Sequence, residues 1–310
     1  MAEAITLRER ELFIMRVERA NAKINLYLNV VGKRENGYHD IVSVMQTVSL
    51  CDLITLDFYP TSHTSVTLTA SGNGEMPTDC RNLAWRAAER YLASTGLCGE
   101  VRISIEKHIP MAAGLAGGSA DAAAVLRGLN RLCGNRLSTK ALCEVGASLG
   151  ADIPFCIIGG GALVEGIGER LESTASMPDT PLVVACMGEG VSTPWAYGKL
   201  DGRYQNFANA LQDDPRPMRI LRAMEQPEIL TACADFYNIF EEVVPTVQPH
   251  VERLKNAMLE HGAVRAMMSG SGPSVFGVFR SRHEAEKTAD ALQKMGAAAF
   301  ACHPCSQYSN

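Results

Sequence analysis

Residues 109–123 read IPMAAGLAGGSADAA, a run made mostly of glycine, alanine and serine. The run lies between a strand-like pattern that ends near Ile105 and an alanine-rich helical pattern over residues 120–132. Small residues let a backbone approach a ligand closely and adopt positive φ angles, so consecutive N–H groups can converge on one anion. The helix behind the run directs the positive end of its dipole to the same place, and Ser119 suits the N-cap region. This pattern favours a phosphate-binding loop, and a tight strand-to-helix turn is the alternative.

The loop matches neither of two common nucleotide-binding motifs. No Gly-Lys-Ser/Thr follows its glycines, so it is not a Walker A loop. It also lacks the Gly-x-Gly-x-x-Gly spacing of a dinucleotide fingerprint. A phosphate site here therefore belongs to another class of nucleotide-binding protein.

Upstream of the loop, residues 22–30 alternate between apolar and polar side chains. A period of two predicts a half-buried strand, which places Lys23 and Asn25 side by side on its polar face. A turn at residues 35–37 follows, and Tyr38 and His39 then lead into another strand-like run.

The remaining patterns predict an α+β protein in two halves, residues 1–174 and residues 175–310. Residues 1–14 are expected to be a charged helical extension, and Met15 is a candidate internal start site. A polar, proline-bounded linker is expected at residues 172–181. Further helices are predicted near residues 83–91, 139–149 and 282–295, and further strands near residues 66–68, 101–105, 162–165, 182–187, 264–268, 275–279 and at the terminus.

Composition excludes several classes of function. The net charge of −5 argues against broad binding of nucleic acid, which needs a basic surface. The longest apolar stretches are too short to span a bilayer, and no secretory signal is recognisable. We therefore expect a cytoplasmic protein that binds neither nucleic acid nor a membrane, as a monomer or a weak homodimer.

The ten cysteines are scattered and mostly lie in apolar segments. One Cys-x-x-Cys pair occurs, Cys302 and Cys305, but a zinc site would need two more ligands from elsewhere. Reduced thiols are the preferred interpretation, and no metal ligand is assigned.

Residues 109–123 resemble the Pro-x-x-x-Gly-Leu-x-Gly-Gly-Ser-x-x-Ala-Ala loop of the galactokinase, homoserine kinase, mevalonate kinase and phosphomevalonate kinase (GHMP) superfamily. The segments AKINL at residues 22–26, GYH at 37–39 and GADIPF at 150–155 resemble its branch of kinases acting on 4-diphosphocytidyl-2-C-methyl-D-erythritol. MSGSGPS, residues 268–274, resembles the third motif of the superfamily. Ala116 stands where many relatives have glycine, and the small side chain preserves the character of the loop.

The resemblance implies a two-domain fold: an N-terminal domain like the second domain of ribosomal protein S5, and a ferredoxin-like C-terminal domain. It implies an ATP-dependent small-molecule kinase of the non-mevalonate isoprenoid pathway. The expected reaction transfers the γ-phosphate of ATP to the 2-hydroxyl of the cytidine-diphosphate-linked methylerythritol, with Mg²⁺ to neutralise phosphate charge.

Catalytic roles are implied for Lys23 and Asp152. The resemblance assigns Asp152 as the carboxylate that faces the acceptor hydroxyl. From its neighbours alone, a turn or capping role for Asp152 would be preferred. Lys23 would keep that carboxylate ionised and stabilise developing negative charge, whereas a solvated lysine on a polar strand face is the alternative.

The expected binding residues fall into two groups. Contacts to ATP are expected from Pro110, Ala112, Ala113, Gly114, Leu115, Ala116, Gly117, Gly118, Ser119 and Ala120, with Asn82 and Lys107 as weaker candidates. Ser119 is also a candidate ligand of Mg²⁺. Contacts to the acceptor are expected from Asn25, Tyr38, His39, Asp152, Tyr197, Gly270, Ser271 and Gly272.

Tyr38 and His39 would receive the cytidine, with Tyr197 or Trp195 on the other side of the base. Core packing is the alternative for these aromatic side chains. Two other functions stay open at this point: a sister kinase for mevalonate, homoserine or a sugar, and a nucleotide-binding sensor without catalysis.

Overall fold

The computed structural model describes residues 15–204, 207, 214–227 and 229–308. The predicted extension at residues 1–14 lies outside this range. Among the described residues, no helix combines the length and the apolar character needed to cross a bilayer.

The described strands, numbered in chain order, form two sheets. The first sheet has the order β3-β4-β2-β1-β8, and β5 pairs with β2 and β6. The second sheet has the order β11-β7-β10-β9. The strands are β1 (Arg16–Lys33), β2 (His39–Pro60), β3 (Ser65–Gly72), β4 (Gly99–Lys107), β5 (Gly161–Gly166), β6 (Arg170–Thr174), β7 (Leu182–Cys186), β8 (Tyr237–Asn238), β9 (Arg265–Met268), β10 (Val275–Val278) and β11 (Ala298–Cys302).

The described part of the first half has four helices: α1 (Leu83–Thr95), α2 (Gly117–Leu132), α3 (Thr139–Ala147) and α4 (Ile153–Ile158). Helices α1, α2 and α4 pack against the first sheet, and α3 packs against these helices. The predictions of α1, α2 and α3 are confirmed, with helix ends that differ from the predicted ones by up to four residues. The short helix α4 was not predicted, because six residues are too few to show a helical period. The side chain of Asn82 accepts a hydrogen bond from the N–H of Ala84 and so caps α1.

The second half contributes helices α5 (Thr193–Arg203), α6 (Arg216–Met224), α7 (Ile229–Ala232), α8 (His250–Glu260) and α9 (Arg282–Lys294). Here β7, α8, β9, β10, α9 and β11 occur in this order, with α5, α6, α7 and β8 inserted between β7 and α8, and all the pairings of this sheet are antiparallel. That succession and strand order are those of a ferredoxin-like domain, so the prediction for this half is confirmed. The predicted division near residue 174 falls between β6 and β7, although β8 returns to the first sheet beside β1.

The prediction that residues 22–30 form a half-buried strand is wrong, because β1 is buried on both faces. Ile24 and Leu26 belong to a core shared with Val184 and Phe276 of the second sheet. Lys23, on the other face of the strand, is also buried, at only 5% exposed. The bulge between Asn25 and Tyr27 also breaks the alternation, which local periodicity could not reveal.

Candidate active site

A cleft of about 1020 Å³ opens beside the small-residue loop. Most of the predicted site residues line this one cleft, although they come from distant parts of the chain. They are Lys23, Asn25, Tyr38, His39, Asn82, Lys107, Pro110, Ala112, Ala113, Gly114, Ala116, Gly117, Gly118, Ser119, Asp152, Tyr197, Gly270 and Ser271.

Three predicted contact residues do not line the cleft. Leu115 and Ala120 are each only 1% exposed, because their side chains pack into the cores behind the loop. The backbone carbonyl of Leu115 accepts a hydrogen bond from the N–H of Lys23 at 3.1 Å, which fixes the loop to β1. Gly272 lies in a turn, where its N–H donates to the carbonyl of Ser269 at 3.0 Å.

The sign of the φ angle alternates along the loop. Ala112, Gly114 and Ala116 have φ angles of 50°, 78° and 57°. Alternation of right-handed and left-handed residues turns successive N–H groups towards one point and forms an anion-binding concavity. Helix α2 begins directly behind it at Gly117. The positive φ angles and the start of α2 thus meet at the wall of the cleft.

The capping prediction for Ser119 is wrong. The N-cap of α2 is Ala116, which has a left-handed conformation and makes no capping side-chain hydrogen bond. Ser119 lies instead in the first turn of α2 and lines the cleft. The first N–H groups of a helix have no partner within the helix, so this end is open to an anion.

The loop is braced by the third motif, residues 268–274. The N–H of Ser274 donates to the carbonyl of Ala113 at 3.2 Å, and Ser269 Oγ donates to the carbonyl of Gly114 at 3.2 Å. A Cβ atom at Gly114 would lie 2.2 Å from the carbonyl oxygen of Ser269. Glycine is thus required at position 114 by both its φ angle and this close approach.

Lys107 reaches the cleft, but its ammonium group is held by two buried carboxylates. Nζ donates to Asp121 Oδ2 at 2.7 Å and pairs with Asp52 Oδ2. Burial raises the pKa of Asp121 to about 7, while the charge of Lys107 opposes the shift. This arrangement ties β2, β4 and α2 together under the loop. The sequence analysis missed Asp52 and Asp121, since nothing local marks a lysine's distant partners.

The two predicted catalytic residues line the cleft from different elements. Lys23 Nζ donates to Asn25 Oδ1 at 2.6 Å, and Asn25 Nδ2 donates to Ser43 Oγ at 2.8 Å. Burial lowers the pKa of Lys23, while the charge of Asp152 raises it. Asp152 is the N-cap of α4, yet its side chain makes no capping hydrogen bond. Its carboxylate is therefore available to the cleft, which disfavours a purely structural role.

Aromatic side chains surround the far end of the cleft. His39 stacks on Tyr197 with ring centroids 4.6 Å apart, and its Nε2 lies 2.7 Å from Asp201 Oδ1. Lys33 Nζ donates to the other oxygen of Asp201 at 2.7 Å. Tyr38 is 60% exposed at the mouth. His39 and Tyr197 thus stack on each other, whereas the ring of Tyr38 is exposed.

Trp195, the alternative to Tyr197, does not line the cleft. Two residues that the sequence analysis missed hold the third motif in place. Thr193 Oγ1 lies 2.9 Å from Ser271 Oγ, and Asn238 Nδ2 donates to the carbonyls of Met268 and Gly270. Their roles depend on long-range contacts, for which the sequence carries no local signal.

The family model described as the GHMP kinases N terminal domain matches residues 82–160, and the model described as GHMP kinases C terminal matches residues 220–298. Curated relatives are similar over most of the chain. The 4-diphosphocytidyl-2-C-methyl-D-erythritol kinase of Caldicellulosiruptor saccharolyticus is 41% identical over 275 residues, 89% of this chain and 92% of its own. The same enzyme of Bacillus velezensis is 40% identical over 281 residues, covering 89% and 92%.

Solved structures give the same picture. A crystal structure of 4-(cytidine 5'-diphospho)-2C-methyl-D-erythritol kinase superposes with a TM-score of 0.74 at 32% identity, over 94% of this chain and 99% of that one. A homoserine kinase from Cytophaga hutchinsonii has a TM-score of 0.72 at 20% identity, over 99% and 97% of the two chains. That second likeness concerns the fold alone.

Proposed function

The chain belongs to the GHMP kinase family and, within it, to the 4-diphosphocytidyl-2-C-methyl-D-erythritol kinases, and we propose from this premise how its cleft transfers phosphate. The reaction moves the γ-phosphate of ATP to the 2-hydroxyl of 4-diphosphocytidyl-2-C-methyl-D-erythritol, a step in isoprenoid precursor synthesis. One observation carries the mechanism: the anion-binding loop, Lys23 and Asp152 share one cleft.

The triphosphate of ATP lies along the loop at residues 112–119, with its terminal phosphate at the N-terminus of α2. The alternating φ angles and the open helix end support this placement. Asn82 and the loop are the contacts on the nucleotide side. Lys107 shapes the loop from below through Asp52 and Asp121.

Asp152 orients the acceptor hydroxyl and takes its proton late in the reaction. An ordinary aspartate has a pKa of about 3.9, and an alcohol has a pKa of roughly 16, so full deprotonation beforehand would cost about 16 kcal/mol. Proton transfer as the bond to phosphorus forms avoids this cost. Lys23 stabilises the charge that develops between the acceptor oxygen and the phosphate.

Mg²⁺ would neutralise phosphate charge in this reaction. Ser119 offers a hydroxyl in the first turn of α2, at the end where the phosphates are proposed to lie. The described residues contain no cluster of three acidic, histidine or cysteine side chains that could hold a metal. This donor set fits an ion held mainly by phosphate oxygens and water, with Ser119 as its protein contact.

The cytidine diphosphate end of the acceptor extends towards Tyr38 and His39. The exposed ring of Tyr38 covers the base, and His39, oriented by Asp201, meets its polar edge. Gly270 and Ser271 face the diphosphate. A cytoplasmic location and a monomeric or weakly dimeric state are proposed on the sequence alone.

A coupled assay of ADP release over a panel of acceptors tests this function. The panel comprises 4-diphosphocytidyl-2-C-methyl-D-erythritol, mevalonate, homoserine and galactose, each with ATP and Mg²⁺. We expect turnover only with the cytidine-diphosphate acceptor. Turnover of another acceptor would indicate a sister kinase, and ATP binding without turnover of any acceptor would indicate a sensor.

A further inference from the structure

Residues 303–308, here called the strap, leave the second sheet after β11 and run back over the first half of the molecule. His303 and Ser49 exchange hydrogen bonds, and Pro304 forms an isolated antiparallel bridge with Val48. The N–H of Cys305 donates to the carbonyl of Thr47 at 2.8 Å. Thr47 is the residue opposite Lys23 in the ladder between β1 and β2, so the strap lies beside the catalytic strand.

The end of the strap contacts α4, the helix whose N-cap is Asp152. Gln307 forms a bridge with Gly159, and the N–H of Tyr308 donates to the carbonyl of Ile158 at 3.0 Å. A Cβ atom at Gly159 would lie 2.9 Å from the ring of Tyr308. The strap thus contacts the C-terminal end of α4, and Asp152, the proposed base, lies at the N-terminal end of the same helix.

The side chain of Tyr308 completes this connection. Its hydroxyl donates to Asn21 Oδ1 at 2.9 Å, two residues before Lys23. Its ring lies under the guanidinium of Arg127, 3.7 Å from the ring centroid. A cation held over an aromatic face is stabilised electrostatically, more so when the pair is shielded from water.

Arg127 joins the three elements that form the site. It belongs to α2, the helix behind the phosphate loop. Its Nη1 donates to the carbonyl of Cys156 on α4 at 2.6 Å, and its Nη2 donates to the carbonyl of Arg19 on β1 at 2.7 Å. One guanidinium therefore sets the spacing between the loop helix, the lysine strand and the aspartate helix.

We propose that Tyr308 is a positioning residue of the kinase reaction, because its ring fixes Arg127 and thereby the spacing of Lys23 and Asp152. The inference rests on the proposed function, since it concerns the same two catalytic groups. Tyr308 touches neither nucleotide nor acceptor in this account. Its loss should disturb the geometry of transfer rather than the binding of either substrate.

Steady-state kinetics of the full chain carrying Tyr308→Ala test this role. A small misplacement of reacting groups costs on the order of tenfold or more in rate. We expect kcat to fall about tenfold while KM for ATP and for the acceptor stays within about twofold of the unchanged protein. Tyr308→Phe keeps the ring under Arg127 and should restore most of kcat.

Tyr59→Ala is the matched control, because Tyr59 also lies under an arginine, Arg102, but on a part of β2 away from the cleft. It should leave kcat unchanged. Unchanged kcat in folded Tyr308→Ala, a loss confined to KM, or an equal loss in Tyr308→Phe would overturn the proposal. If Tyr308→Ala does not fold, Tyr308→Leu retains apolar bulk and is judged by the same criteria. Failure of the proposed function is distinguishable, because the unchanged protein would then show no turnover.

Discussion

Lys23 shows how much of the proposed chemistry depends on one buried charge. Lys23 is 5% exposed, and its ammonium group donates to Asn25 Oδ1 at 2.6 Å. Burying an unpaired cation is costly, so a buried lysine without a purpose is rare in proteins. The alternative of a solvated lysine on a polar strand face is therefore wrong. The charge of Asp152 partly offsets the burial, which ties the two residues electrostatically.

Asp152→Asn removes the proton acceptor and keeps the shape of the side chain. We expect kcat to fall by about 10² to 10⁴, because general base assistance contributes an amount of this order. The dissociation constant of ATP should change little, since the loop is untouched. Rapid-quench or coupled kinetics measure kcat, and titration calorimetry measures the dissociation constant of ATP. Near-normal turnover would indicate that Asp152 has a structural role only.

The pH dependence of kcat should reflect Lys23. The protonated amine is the active form, and burial lowers its pKa below the usual value of about 10.4. As pH rises through that lowered pKa the charge is lost, so kcat should decline at a lower pH than a free lysine would produce.

Lys23→Arg is the control for this decline. A guanidinium stays charged at every accessible pH, so the alkaline decline should disappear even though kcat is reduced. The same alkaline decline in Lys23→Arg would assign it to another group.

The sequence and the structure both favour anion binding by the phosphate loop. The structure adds backbone conformations that the sequence does not show. The composition of the loop indicates a site for an anion, but glycine accounts for only part of its geometry. Ala112 and Ala116 also have positive φ angles, which costs an alanine about 1–2 kcal/mol. The bonds from Ser269 and Ser274 hold the loop in this conformation.

Gly118→Val should affect ligand binding more than folding. A Cβ atom at Gly118 would meet only Leu83, at 3.9 Å, so the fold has room for it. Gly118 lines the cleft, however, and a branched side chain there would crowd the phosphates. Calorimetry should show ATP affinity reduced at least about tenfold with the melting temperature nearly unchanged. Gly202→Val, on the exposed side of α5, is the matched control and should leave affinity intact.

Gly114→Ala should affect folding more than ligand binding. Its Cβ would lie 2.2 Å from a backbone oxygen, at a φ angle of 78°. We expect a loss of stability of about 2 kcal/mol or more, measured by chemical denaturation. A variant as stable as the unchanged protein would mean that the loop and the third motif are not packed as described.

At the scale of the whole molecule, the sequence predicts helices, strands and the phosphate loop, but it does not predict which segments pack over them. Local periodicity predicts α1, α2 and the strands of the second sheet, because each pattern is contained within one segment. It could not predict that β1 is buried on both faces. That burial arises from contacts with segments more than 100 residues away. The strap and β8 escape prediction for the same reason.

The residues of the proposed active site also divide into those that local sequence identifies and those that depend on long-range contacts. Lys23, Asp152 and the loop are recognisable from motif and resemblance, and the fold brings them to one cleft. Asp52, Asn238 and Asp201 act through partners 30 or more residues away in the chain, so no local spacing identifies them. What the sequence lacks is the set of contacts that orients the recognisable groups.

The measurement that tests the account most directly is a crystal structure with a non-hydrolysable ATP analogue and the cytidine-diphosphate acceptor bound together. We predict that the triphosphate lies along residues 112–119 and that the 2-hydroxyl of the acceptor lies within about 3 Å of Asp152, beside Lys23. A nucleotide bound away from this loop, or a hydroxyl remote from both side chains, would contradict the account.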